Sequence, residues 1–211
     1  MARRAVAALA ILCPAALLAQ DVALPKPDTT GGGPLMQVLA ERKSSREFSS
    51  ERLPPAELAN LLWAAFGVNR PESGGRTAPS AKNGQETDVY VACADGLYLY
   101  DAKANVLKQV SKADVRSLTG RQPFVSVAPV DLVYVADYSR MPEMSAADKD
   151  RYSAAGAGFI AENVYLYCAS SGLAVVVRGS IDRDALAKAM KLRPEQRIIL
   201  AQTVGYPAKK P

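Results

Sequence analysis

Histidine is absent from all 211 residues. That absence removes Ser-His-Asp and Cys-His nucleophilic catalysis, and most zinc or iron sites with them. Cysteine is scarce, at Cys13, Cys93 and Cys168 only. Cys93 and Cys168 lie in apolar strand-like and helix-like runs, where a buried free thiol is the common outcome, although a disulfide stays open in an oxidising compartment. No G-x-G-x-x-G follows a strand and no Walker A motif occurs, so nicotinamide or ATP binding through those loops is not supported. Gly31-Gly32-Gly33 has no strand before it. No Lys/Arg block is interleaved with aromatics, which argues against nucleic acid as a partner. No metal site is expected. Chemistry in such a chain needs another source, and a bound cofactor is the natural one.

What is present reads as one globular domain. Apolar residues make up 49% and charged residues 22%, and the length suits a single core. The first segment stands apart. Arg3 and Arg4 precede an apolar run over residues 5–18, and small Ala19 meets polar Gln20 and Asp21. This is the layout of a secretory signal, with cleavage expected near Ala19. The run is too short for a comfortable bilayer span, so no stable membrane span is expected after cleavage. The protein is thus expected outside the cytoplasm, periplasmic or secreted. Removing Arg3 and Arg4 lowers the formal charge from +5 to +3, a mild balance that suits an anionic ligand. Residues 20–34 are rich in Pro and Gly and read as a linker. The folded domain is expected over residues 35–211.

Within it, residues 35–42 read as a short helix, and a second runs from Pro55 until Gly67 stops it. Residues 68–87 read as a long polar loop, of the kind that is usually functional or mobile. Strands are expected over residues 88–94, 97–101, 106–110, 131–136, 173–177 and 198–204, with Asp95-Gly96 as a hairpin turn. Ser111 and Asp114 read as a capping box opening a short helix. Ser145 and Asp148 cap a long helix to Ser171, with Phe159, Ile160, Val164, Leu166 and Tyr167 as its core stripe and Gly172 as its stop. Residues 182–190 read as a last helix with Ala185, Leu186 and Ala189 inward. Hairpin, long helix and returning strands together indicate an α+β layered domain.

Arg42-Lys43-Ser44-Ser45-Arg46 places three cations and two hydroxyls in five residues. Such a cluster can pair a phosphate dianion through guanidinium forks and serine donors. It can equally be a solvated charge run at a helix C-terminus, where the dipole favours cations. Arg42 to Phe48 resembles the R-x-S-x-R-x-F opening of nitroreductase-type flavoenzymes. Leu58 to Gly67 is similar to that family's next helix. Arg76-Thr77-Ala78-Pro79-Ser80-Ala81 resembles the R-T-x-P-S-A loop of the thiazole/oxazole dehydrogenase-like branch (SagB/ThcOx type). Ala155 to Leu166, Arg178-Gly179 and Val204-Gly205-Tyr206-Pro207 follow in the family's order, so the likeness spans residues 35–207.

The resemblance implies a nitroreductase-like fold, a central mixed or antiparallel sheet flanked by helices. It implies an intertwined homodimer with FMN at the subunit interface, a small-molecule substrate, and two-electron hydride transfer through flavin N5. By position, Arg42, Ser44 and Arg46 would hold the phosphate and ribityl chain, with Lys209 and Lys210 as candidates for a late basic pair. Pro79, Ser80, Ala81 and Asn83 would line the ring. Arg178 and Gly179 match the segment near N5, where a backbone N–H and a nearby cation are expected. The sequence departs from the pattern at two places. Azoline-oxidising enzymes carry an adjacent Lys-Tyr pair, whereas Lys149 and Tyr152 are separated by two residues here, and the family's helix glutamine is Glu162. No side chain is assigned as acid or base. Three readings stay open: a flavin-dependent oxidoreductase, an exported non-catalytic protein holding flavin or another ligand on the same fold, and a purely structural exported domain with the Arg/Ser cluster as solvated surface.

Overall fold

The computed structural model describes residues 20–209. The export signal expected over residues 1–19, and Lys210, lie outside them. In chain order the elements are β1 (Val22–Ala23), α1 (Leu35–Glu41), α2 (Pro55–Phe66), β2 (Val68–Arg70), β3 (Gly75–Arg76), β4 (Thr87–Cys93), β5 (Gly96–Asp101), β6 (Val106–Ser111), β7 (Val130–Asp137), α3 (Ala146–Ser171), β8 (Ala174–Arg178), α4 (Arg183–Met190) and β9 (Gln196–Gly205). Seven strands form one sheet in the order β1-β6-β5-β4-β7-β9-β8, and every pair is antiparallel. The short hairpin β2–β3 stands apart.

The period of two in β7 explains why the sheet carries helices on both faces. Leu132 and Tyr134 join the cluster that holds Ile160, Ala161 and Val164 of α3 and Leu61, Leu62 and Ala65 of α2. Val133 and Val135 point the other way, to Leu186 and Met190 of α4. All of β7 is buried; its centre is largely apolar, as burial on both faces requires, and the two carboxylates near its ends, Asp131 and Asp137, meet Arg178 and Arg193. Each such aliphatic side chain contributes roughly 1.5–3 kcal/mol by its burial.

The long helix begins and ends where its caps dictate. Ser145 accepts from the Asp148 backbone N–H at 3.2 Å, and Gly172 takes φ 70° at the C-cap, a left-handed conformation that favours glycine. The expected stripe holds at Ile160 and Val164, while Leu166 and Tyr167 are only half-buried. Phe159 is 49% exposed, and Gly156, Ala157 and Cys168 take the inward positions with Ile160 and Val164. In α4, Leu186 and Met190 are buried while Ala185 is exposed.

Three local expectations change. Residues 20–34 keep a linker composition but pack against the domain. β1 extends the sheet edge beside β6, the Asp28 N–H donates to Asn60 Oδ1 at 2.8 Å, and the Gly33 N–H donates to Ser170 Oγ at 2.7 Å. The Ser111–Asp114 segment forms no α-helix. Both side chains bond locally, to the N–H groups of Ala113 and Arg116, and only a 3-10 turn over Arg116–Leu118 follows. The hairpin turn is Ala94-Asp95, because Cys93 pairs with Gly96. Gly96 has φ 146°, and a Cβ there would collide with the Ser111 carbonyl.

Candidate functional site

The segment after α1 cannot continue as helix, since Arg42 has φ −56° and ψ 125°, and it crosses to the open edge of β8. There the Ser45 N–H donates to the Val175 carbonyl at 2.8 Å. The crossing leaves a cleft of 890 Å³ whose walls include Lys43, Ser44, Ser45 and Arg46, Leu173 to Val175, and Pro207 and Ala208. Ser44 and Arg46 are exposed to it. Arg42 stands behind the rim, with its guanidinium 5.3 Å from the centre of the Tyr165 ring. Tyr165 Oη lies 2.8 Å from Ser44 Oγ and accepts from the Val177 N–H at 3.0 Å.

Two carboxylates, Glu41 and Glu47, also border the cleft. Glu41 is engaged by Gln37 Nε2 at 2.8 Å. The closing strand returns to the same place: Phe48 bridges Pro207, and the Ala208 N–H donates to the Glu47 carbonyl at 3.2 Å. Exposed Lys209 therefore follows directly from the cleft wall. Cys168 forms part of the floor. It is fully buried, and burial holds its thiol pKa well above the ordinary value, so the thiol is inert.

The residues expected beside the ring are not in this cleft. Pro79, Ser80, Ala81 and Asn83 follow the β2–β3 hairpin, and none of them lines the cleft. Their loop is tightly built. Lys82, Asn83 and Gln85 have φ of 52°, 53° and 47°, a region L-residues avoid at a cost of roughly 1–2 kcal/mol each. Such strain persists only where surroundings impose it. Here Ser80 Oγ accepts from the Gln85 N–H at 2.9 Å, Arg76 Nε donates to Gln85 Oε1 at 2.9 Å, and Arg140 Nη1 donates to the Gln85 carbonyl at 3.0 Å. The sequence motif flagged Ser80, but it gave no sign that Gln85 and Arg140 brace the loop.

Arg178 turns inward. Its guanidinium meets Asp131 at 2.6 Å and Thr203 Oγ1 at 2.6 Å, and it also donates to the Thr119 carbonyl. Burial pushes the Asp131 carboxyl up and the facing guanidinium opposes that push. Arg178 thus braces the end of β8 from within the core. Gly179 is exposed immediately beyond it. Asp131 and Tyr165 were not singled out by sequence reading, since their roles depend on contacts 47 and 121 residues away. Lys149 is half-buried, while Tyr152 and Glu162 on α3 are exposed. Among the described residues no group of histidine, cysteine and carboxylate side chains could hold a metal ion.

The Nitroreductase family model matches residues 39–206. A protein of Methanocaldococcus jannaschii named as a candidate nitroreductase is 30% identical over 169 residues, covering 75% of this chain and 85% of that one. A crystal structure of a candidate nitroreductase from Ralstonia eutropha is 51% identical, covers 90% of each chain and superposes with a TM-score of 0.86. A chain of the Escherichia coli microcin synthetase McbBCD complex, at 21% identity with 80% of this chain and 70% of that chain covered, shares the fold with a TM-score of 0.71. The chain belongs to the nitroreductase family, has its α+β fold, and by that membership is an oxidoreductase.

Proposed function

We propose that this oxidoreductase is FMN-dependent, works as a homodimer on a small-molecule substrate, and belongs to the thiazole/oxazole dehydrogenase-like branch. The cleft at Lys43–Arg46 carries the reading. It joins two cations, two hydroxyls and a strand edge in a space of 890 Å³, and that donor set fits a phosphorylated cofactor. Ser44 and Arg46 would hold the phosphate from the cleft wall, Arg42 from behind the rim, and Lys209 and Lys210 from the chain's end. From the cleft at Val175, β8 leads to Gly179 just beyond its end, roughly 13 Å at strand rise, so one element would position both ends of the cofactor. The isoalloxazine ring, when bound, supplies two-electron transfer as a hydride equivalent at N5. The Gly179 backbone would orient that edge of the ring.

Pro79, Ser80, Ala81 and Asn83 lie outside the cleft of their own chain, which favours a site shared between two copies. The braced loop at Lys82–Gln85 would then present a fixed surface to the partner's ring. The branch assignment rests on Arg76 to Ala81, and the separated Lys149 and Tyr152 speak against azoline oxidation. Export rests on residues 1–19, and the mature protein should begin at Gln20 by N-terminal sequencing. Among the described residues no helix is long and apolar enough to cross a membrane.

A second reading, a non-catalytic flavin carrier, is favoured by one observation: among the described residues no histidine or reactive thiol stands at the cleft. The two separate in one experiment. The flavin-loaded protein is reduced anaerobically and mixed with nitroaromatic and quinone acceptors. Rapid reoxidation with stoichiometric product supports the enzyme, and a flavin that no acceptor reoxidises supports the carrier.

A further inference from the structure

We infer that Tyr165 is a positioning residue that turns Ser44 into a dedicated donor for a phosphoryl group in the cleft. This rests on the phosphate-binding part of the flavin reading. The Tyr165 phenol is buried, and its oxygen has two neighbours, the Val177 N–H at 3.0 Å and Ser44 Oγ at 2.8 Å. The Val177 N–H has only a proton to give, so Oη accepts there. The phenol's own proton must then go to Ser44 Oγ. In the reverse arrangement Oη would accept twice and its buried proton would have no partner, and an unmade buried bond of that kind is costly. With Oγ accepting from Tyr165, the serine proton is directed away from the phenol, into the cleft that Ser44 lines. A hydroxyl fixed in that sense offers a donor to an anion.

The same phenol ties two elements together. β8 is an edge strand, and its outward peptide groups would otherwise need water. Tyr165 takes the Val177 N–H while the loop takes the Val175 carbonyl through Ser45. The Arg42 guanidinium over the ring face completes the arrangement. One side chain on α3 thus holds the loop, its serine and its first arginine against the strand that leads to Gly179.

The test compares a phosphorylated and an unphosphorylated flavin. Affinities for FMN and riboflavin are measured by fluorescence quenching for wild type, Y165F, S44A and the double variant, with inorganic phosphate followed separately by phosphorus NMR. Tyr165→Phe keeps the ring under Arg42 and removes only the hydroxyl. It should weaken FMN about tenfold and riboflavin less than twofold. Ser44→Ala, which leaves the Val177 bond intact, should give the same selective loss even if Y165F is less stable. The double variant should lose no more than either single one, because both break one chain of bonds. Equal weakening of both flavins by Y165F, or additive losses in the double variant, would overturn the inference. If wild type binds phosphate with the same dependence on Tyr165 but retains no flavin, the flavin reading falls and the role of Tyr165 stands. If it binds neither, both fall.

Discussion

Glu86 has a carboxyl group with no exposed surface and no hydrogen-bond partner for either oxygen among the described residues. It is packed so closely against α3 that a Cβ on Gly156 would come within 3.1 Å of Oε1. Burial raises its pKa from the ordinary 4.5, with its own backbone amide and then Arg140 only partly offsetting this. The folded state therefore keeps a proton that the unfolded chain loses. The stability this gives is fully present below about pH 4.5 and is lost as pH rises through the folded-state value. Glu86→Gln should accordingly be near neutral at pH 4 and stabilising at pH 8, read by urea denaturation at both pH values. A variant that destabilises equally at both would show that the carboxyl has a partner. Nothing in the sequence marked Glu86, because its isolation arises from the strand start, the strained loop and the glycine of a distant helix together. The cluster at Arg42, Ser44 and Arg46 was legible because its residues are contiguous. The inward turn of Arg178 was not, because Asp131 and Thr119 reach it from other parts of the chain.

At the scale of elements, legibility followed whether the signal was local. Both ends of α3 were readable, since Ser145 bonds within its own first turn and Gly172 adopts its own backbone conformation. Ser145→Ala should cost about 1 kcal/mol in chemical denaturation with an unchanged m-value. The segment over residues 20–34 was misread in its packing for the opposite reason. Its Pro and Gly composition describes a flexible chain, but Asn60 and Ser170 bind its backbone from two different helices. The polar stretch over residues 68–87 likewise hides a hairpin and a strained loop, because its order comes from Arg76, Gln85 and Arg140. Phe159 fits a helical stripe by period, yet it faces outward, since the inward row of α3 needs small residues at Gly156 and Ala157.

At the scale of the whole molecule, five of the seven exposed large apolar side chains among the described residues lie on α1 and α3, two helices in contact with each other. Leu35, Met36 and Leu39 of α1 are exposed, Met36 at 77%, as are Tyr152 and Phe159 of α3. Exposed apolar surface of this kind on a folded domain marks an interaction site. If the site is shared between two copies, as proposed above, a second copy is the occupant that would both cover this surface and complete the site. The double variant M36E/F159E should shift the protein from dimer to monomer in light scattering and weaken flavin retention with it, while thermal unfolding remains cooperative. A monomeric variant that keeps its flavin would mean that one chain suffices. The most direct test of the proposed function is the absorbance spectrum of purified residues 20–211, taken before and after incubation with FMN and desalting. Flavin bands retained by the wild type and lost or weakened about tenfold in affinity by R42A/R46A would match the cleft described above. A well-folded protein that retains no flavin after reconstitution would contradict it, leaving the family and fold without the cofactor.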